Sequence, residues 1–236
     1  MALNYFAFQS AQTKLENLSI AFRDAIKRVV NVENAQFNAV INKFDSSINS
    51  IIINNTIGEE ISALFVEFNK VSDSPNDQYL LFKEMFDFGD TDTTALVTQV
   101  QLQNNRSINL TVKIQALAYA YVSACEIEYG NQQELDSNIK DLELQYQSII
   151  TGELELDSDT RIALINQRTR AFQFFGSLDL SAIIETETKM VPSTVLAYRL
   201  YEDSTRSDEI VTLNRIQDTG YIEGTINILS TDDINT

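Results

Sequence analysis

The sequence predicts a mainly α-helical fold with long amphipathic helices, followed by a small α+β domain of strand, helix, helix and strand (βααβ). Only seven glycines and two prolines occur in 236 residues, which argues against an all-β fold with many turns. Residues 4–54 contain neither glycine nor proline, and apolar residues recur there every three or four positions. Apolar and polar residues alternate at 182–188 and 225–229, which predicts two strands. The predicted division is a helical domain, 1–178, a small domain, 179–230, and a short polar tail, 231–236.

The apolar stripe of residues 4–54 predicts one long helix, or two nearly collinear helices. The stripe covers roughly fourteen turns, which is more length than a compact small domain usually covers. Such a stripe requires a long partner surface, either another helix of this chain or a neighbouring subunit. We predict that part of it, including Phe37 and Phe44, faces another subunit.

The remaining helices of this domain are separated by turn and capping residues. Short helices are expected on either side of a turn at 72–75, and Thr93 is a candidate cap for the next helix. Polar residues at 104–106 interrupt the apolar pattern of that helix, so it is expected to bend or break there. The last helix is predicted to start at Asp157 or Ser158 and to bury Ile162, Ile165, Thr169, Phe172 and Phe175.

The small C-terminal domain has boundary residues at most of its predicted element ends. Pro192 lies where a helix would begin, because proline is tolerated in the first turn of a helix. Thr205 is predicted to cap a second short helix, with Asp208 completing the capping box. Asn214 is predicted to end that helix, and Gly224 to mark a turn before the closing strand.

This order resembles a LysM module, in the asparagine at 214, the Gly224 turn and the Ile226-x-Ile228 strand. A closer similarity lies in residues 196–201, LAYRLY, and 205–216, TRSDEIVTLNRI. These segments resemble the C-terminal end of the DNA circularisation (circulation) proteins of Mu-like contractile-tailed phages. Arg106 and the helix that follows it resemble the middle of the same family. Members of that family begin with an additional β-rich domain, and we expect this chain to be their helical and LysM-like part alone.

The resemblance implies a structural component of a phage tail at or near the baseplate. It implies a virion location, with synthesis and assembly in the host cytoplasm. The implied partners are other tail and baseplate proteins and further copies of the chain. Arg199, Tyr201 and Arg206 are candidate contacts to a neighbouring protein, because arginine and tyrosine are favoured at interfaces. The alternative for Arg206 is an i,i+3 ion pair with Glu209 that only stabilises the second helix.

The family name also implies DNA handling, but the charge of the chain argues against it. There are 34 acidic and 17 basic residues, for a net charge of −17, and no basic cluster is visible. Nucleic-acid binding depends on cationic side chains that release counterions, so we predict no nucleic-acid partner. The alternative function is a peptidoglycan-binding module of a phage or cell-wall protein, since LysM modules commonly bind peptidoglycan or chitin.

Residues that carry enzyme chemistry are scarce. The chain has no histidine, which removes the commonest general base and zinc ligand. The one cysteine, Cys125, lies in an apolar helical stretch and is interpreted as a core residue. Acidic residues at 134–159 lack the order and the glycine of a calcium loop. We predict no catalytic, cofactor-binding or metal-binding residue, and no enzyme activity. No apolar stretch is long enough to cross a membrane, so no membrane partner is expected.

Overall fold

A computed structural model describes residues 2–30, 34–89, 99–152, 156–178, 180–216 and 218–230, with side chains from residue 7 onward. Over these residues the chain is mainly helical, with a two-stranded antiparallel sheet near the C-terminus, which confirms the mainly α prediction. Two compact units are formed: a helical unit, 1–127 and 139–177, and a C-terminal unit, 128–138 and 178–236. Residues 128–138, which the sequence assigned to the helical domain, therefore group with the C-terminal unit. The predicted polar tail, 231–236, lies outside the described residues.

The helical unit is built from helices, the longest of which, α1 and α5, each have 28 residues. Its elements are α1 (Ala2–Val29), α2 (Ala35–Asn54), α3 (Ile57–Phe68), α4 (Pro75–Phe86), α5 (Gln99–Glu126), the later part of α6 (Gln132–Ile150), and α7 (Ser158–Phe175). Helix α5 is continuous across 104–106, so the helix does not break there. The candidate cap Thr93 lies outside the described residues.

Helices α1 and α2 lie side by side, so the prediction of one long or collinear helix is wrong. The guanidinium of Arg23 is 2.8 Å from the carboxylate of Asp45. In a continuous helix, these residues would be about 33 Å apart. Asn34 starts α2, because its side-chain oxygen accepts a hydrogen bond from the N–H of Phe37 at 2.9 Å. The chain therefore folds back and covers its own apolar stripe.

Phe22 lies at the centre of the aromatic core of the helical unit. Its ring is fully buried and makes edge-on contacts with Phe37, Phe65 and Phe68, with centroid distances of 5.8, 5.3 and 4.7 Å. Phe37 and Phe44 are only 3% and 4% exposed. The expectation that these two side chains face another subunit is thus corrected: helices of the same chain already bury them.

Helix α7 differs from its predicted burial pattern. Asp157 starts the helix by accepting a hydrogen bond from the N–H of Thr160 at 2.9 Å, as the sequence predicted. However, Ile162 and Ile165 are 53% and 43% exposed, and Thr169 is also exposed. The buried residues of α7 are Leu164, Ala171 and Phe175. The apolar pattern predicted a wide buried face, whereas the described packing buries only a narrow stripe.

The C-terminal unit has the predicted order of elements. These are β1 (Ile183–Val191), α8 (Ser193–Tyr201), a 3-10 turn (Ser204–Arg206), α9 (Ser207–Asn214) and β2 (Ile222–Leu229). The strands pair antiparallel, with Ile183 opposite Leu229 and Thr188 opposite Gly224. Both helices pack on one face of the sheet, and the buried core is Leu196, Ala197, Ile210, Ile222, Ile226 and Ile228.

Two predicted boundary residues of this unit have other roles. Thr205 is not the helix cap; the carboxylate of Asp203 accepts hydrogen bonds from the N–H and hydroxyl of Thr205, at 2.9 and 2.7 Å. Gly224 does not form a turn but lies within β2 with φ of +96°, a conformation that favours glycine. It lies where the register shifts between Thr188 and Val191. The prediction that Asn214 ends the second helix is confirmed.

Candidate protein-contact surface

Arg206 is held by its own unit. Its guanidinium bonds both carboxylate oxygens of Glu209, with Nε–Oε2 at 3.1 Å and Nη2–Oε1 at 2.9 Å. The same guanidinium lies 3.8 Å from the centroid of the Tyr201 ring. The predicted i,i+3 ion pair is thus present, and its side chains are 30% and 29% exposed. Arg206 therefore links α9 to the end of α8. Only the part of its side chain that these contacts leave exposed is accessible to a partner.

Tyr201 connects α8 to the sheet. Its hydroxyl oxygen accepts a hydrogen bond from the N–H of Leu229 at 3.1 Å. Burial, followed by the charge of nearby Glu209, raises the pKa of Tyr201 to about 12. Tyr201 therefore stays a neutral phenol at physiological pH, and its main role in this geometry is structural.

Asn214 joins the end of α9 to β2. Its amide nitrogen donates to the carbonyl oxygens of Ile210 and Asn227 at 2.9 and 2.7 Å. Its amide oxygen accepts from the N–H of Asn227 at 2.7 Å. The side chain thus satisfies both main-chain groups of Asn227 on the outer edge of β2. The sequence predicted a helix end at this asparagine and a place in the LysM resemblance, but not this link to β2, because Asn227 lies thirteen residues away.

Arg199 differs from the other two predicted contact residues, because it is exposed on α8. It shares a helix face with Val195 and Tyr198, at i, i+3 and i+4 spacing. Val195 and Tyr198 are 39% and 63% exposed. We call Val195, Tyr198 and Arg199 the α8 face. Sequence reasoning missed Val195 and Tyr198 as surface residues; their shared spacing with Arg199 was the available signal.

A cavity of about 430 Å³ in the helical unit offers no acid–base chemistry. It lies between α1, the end of α2, the start of α3 and α5, and is lined by residues that include Phe8, Ile52, Gly58, Asn104 and Ile108. Among the described residues that line it, no side chain carries a charge. Without a titratable group, this cavity has no means to transfer a proton to or from a bound molecule.

Among the described residues, Cys125 and the acidic side chains do not form a reactive or metal site. Burial, with the charge of Glu126 as a smaller cause, raises the pKa of the Cys125 thiol. This shift lowers the thiolate fraction and agrees with the interpretation of Cys125 as a packing residue. Across the described segments of the chain, no group of three or more Cys, Asp or Glu side chains could hold a metal ion.

Comparisons with known proteins identify no family for this chain. No protein-family model matches the sequence, and a search of curated proteins gives no match. In the part of the chain that the structure describes, every helix is too short or too polar to cross a membrane.

Proposed function

We propose that this chain is a structural protein of a contractile phage tail or a related injection particle. In this proposal it lies at or near the baseplate and acts through protein–protein contacts. It is present in several copies set by the tail symmetry, and its C-terminal unit is a LysM-like module. It is not an enzyme and needs no cofactor.

The observation that carries the proposal is the structural role of the motif residues. Tyr201, Arg206, Glu209 and Asn214 all belong to the segments that resemble the phage circularisation family. In the structure they bond to one another or to β2, and together they fasten two helices to a sheet. A motif whose residues stabilise the fold is typical of a module with a structural role. A component of a particle needs such a module.

The α8 face is the part of this module that we propose contacts a neighbouring tail protein. Its exposed tyrosine and arginine are of the types enriched at protein interfaces. Arg199 does not hold the module together, because within the described residues no side chain pairs with it. Tyr201 and Arg206 contribute at most the edges of their side chains, since their main contacts lie inside the unit.

The first test is whether the protein is in particles and where. Particles purified from the producing cells should contain the chain by mass spectrometry, and antibody labelling should mark the baseplate end. If intact particles lack the chain, the proposal is overturned.

A matched pair of variants then tests the α8 face. Arg199→Ala should reduce incorporation into particles while the melting temperature stays within about a degree, because an exposed side chain contributes little to stability. Arg161→Ala removes an exposed arginine of α7 in the helical unit and is the control for charge. Equal incorporation of both variants and the wild-type chain would remove the α8 face from the proposal.

Peptidoglycan binding remains the second candidate function, favoured by two exposed tyrosines of the C-terminal unit. Tyr198 and Tyr221 are 63% and 68% exposed, and exposed aromatic rings can pack against the apolar faces of sugars. In a pelleting assay with insoluble peptidoglycan, we expect no retention of the protein. Retention that soluble muropeptides compete away would support the second candidate.

The proposal includes no nucleic-acid partner, in contrast to the name of the family. The net charge of −17 repels polyanions at a distance. We expect no gel shift of duplex DNA at micromolar protein and about 150 mM salt, where phosphate contacts are weakened further. A clear shift would contradict this part of the proposal.

A further inference from the structure

The outer edge of β1 carries main-chain groups that have no partner among the residues the structure describes. At Ile183, the N–H and C=O point away from β2 and bond the side-chain amide of Gln133, at 2.9 and 3.1 Å. Main-chain direction alternates along a strand, so Glu185 and Glu187 also direct their N–H and C=O outward. Within the described residues, no group bonds them there.

The other strand is treated differently. On the outer edge of β2, Asn214 bonds both main-chain groups of Asn227, and the hydroxyl of Tyr201 bonds the N–H of Leu229. The unit therefore covers strand edges with its own side chains at Ile183, Asn227 and Leu229. In the described part of the chain, no such side chain covers the stretch of β1 beyond Ile183.

A bulge limits the length of this stretch. The register shifts between Thr188 and Val191, where Lys189 and Met190 lie opposite Glu223. A bulge interrupts regular pairing and bends the strand. The accessible edge is thus short and centred on Glu185 and Glu187, whose side chains are exposed on the sheet face away from the helices.

We propose that this edge binds an extended segment of a partner protein that carries lysine or arginine at alternate positions. The segment adds a third strand to the sheet through the main-chain groups of Glu185 and Glu187. Its basic side chains lie on the same face as the two glutamates, which are about 7 Å apart along the strand. Opposite charges on neighbouring strands stabilise such pairing.

A second copy of this chain is a poorer occupant. Antiparallel pairing of two β1 strands around Thr186 would bring Glu185 of one copy opposite Glu187 of the other. Like charges directly opposite each other destabilise a sheet, and each copy carries a net charge of −17. The same glutamates protect the edge from neutral and acidic strands. The charge therefore selects for a basic segment.

The inference rests on the proposed function only for the existence of a protein partner. Its test uses purified protein and no particles, so the two proposals fail separately. The probe is a short synthetic peptide that alternates lysine with valine. The control is the same peptide with N-methylated amides, which keeps every charge but cannot donate the ladder hydrogen bonds.

The measurement is a nuclear magnetic resonance titration of the ¹⁵N-labelled full chain. We expect the peptide to shift the amide signals of Glu185 and Glu187 and to slow their hydrogen exchange. The N-methylated peptide should bind at least tenfold more weakly. Equal binding of both peptides would show attraction by charge alone and would overturn the proposal, as would absence of binding.

Two variants of the protein locate the binding. Glu187→Pro removes an N–H that the fold does not use, and proline is tolerated where the N–H faces outward from an edge strand. We expect it to abolish binding. Glu187→Thr keeps the N–H and should weaken binding and its dependence on salt. If Glu187→Pro alters the amide signals of β2, the variant has disturbed the sheet. The comparison of the two peptides on the wild-type chain then still tests the proposal.

Self-pairing of the chain has its own signature. Protection of the Glu185 and Glu187 amides from exchange that grows with protein concentration, without peptide, would indicate self-pairing and overturn the choice of partner.

Discussion

Replacing Asn214 by alanine should weaken the attachment of β2 to α9. The substitution removes three hydrogen bonds, two to Asn227 and one to Ile210, with lengths of 2.7 to 2.9 Å. A typical hydrogen bond contributes about 0.5–1.5 kcal/mol net, so the three contribute about 3 kcal/mol. The groups left on Asn227 are half-buried and can reach water, so we add no further desolvation cost. A loss of about 3 kcal/mol corresponds to a change of roughly 10² in the opening equilibrium.

Native-state hydrogen exchange of the full chain measures this loss directly. The amides of Ile226 and Ile228 face β1 and report opening of β2, and we expect both to exchange about 10² faster in Asn214→Ala. Thr212→Ala is the matched control, because Thr212 is exposed on the same helix and its side chain bonds no group among the described residues. A loss below about 0.5 kcal/mol, or an equal loss in the control, would refute the assignment of Asn214 as the link.

An isosteric variant separates the donor bonds of Asn214 from its acceptor bond. In Asn214→Asp, the ionised carboxylate still accepts from the N–H of Asn227 but faces the carbonyl oxygens of Ile210 and Asn227 without a donor. We expect it to be less stable than Asn214→Ala at neutral pH. Acidification restores one donor, so the difference from the wild-type chain should shrink as pH falls. A difference that does not vary with pH would contradict the geometry at these carbonyl groups.

Three further perturbations test other contacts, each by urea denaturation followed with circular dichroism. Arg206→Ala should lower the free energy of unfolding by about 1–2 kcal/mol, since it loses a half-exposed ion pair and a ring contact; no loss would favour a role in binding alone. Phe22→Ala should lower the free energy of unfolding by about 3–5 kcal/mol, whereas Ile53→Ala, at an exposed position, should lower it by less than about 0.5 kcal/mol. Equal losses would show that the aromatic core is packed differently. With the pKa of Tyr201 raised to about 12 and that of an unfolded tyrosine near 10, the free energy of unfolding should fall as pH rises between these values. The fall should be smaller in Tyr201→Phe, and equal falls would exclude this tyrosine as the cause.

Local signals explain why the C-terminal elements could be predicted from sequence. The alternation of apolar and polar residues predicted both strands, Pro192 predicted the start of α8, and Asn214 predicted the end of α9. Each of these signals depends on a residue and its immediate neighbours. The error at Gly224 has the same origin. Glycine is typical both of a turn and of a strand position with positive φ, and only the pairing partner distinguishes them.

Packing between distant segments could not be predicted in the same way. The stripe of α1 and α2 predicted burial correctly, but apolar periodicity does not tell whether the covering surface belongs to the same chain. The lack of glycine and proline in residues 4–54 also predicted a continuous helix, whereas Asn34 provides a start for a second helix. Gln133 gave no signal at all, since its partner Ile183 lies fifty residues further along the chain.

The two amides, of Gln133 and Asn214, show how this unit stabilises a sheet that is too small to be stable alone. A two-stranded sheet is marginal in water and has two exposed edges. Each amide bonds both main-chain groups of one outward-facing strand residue, as a third strand would. The unit therefore replaces neighbouring strands by side chains from helices. The stretch at Glu185 and Glu187 has no such substitute among the described residues, and charge is its remaining protection. Because like charges disfavour an acidic strand at this edge, the two glutamates that we propose bind a basic segment also disfavour pairing with a second copy of the chain.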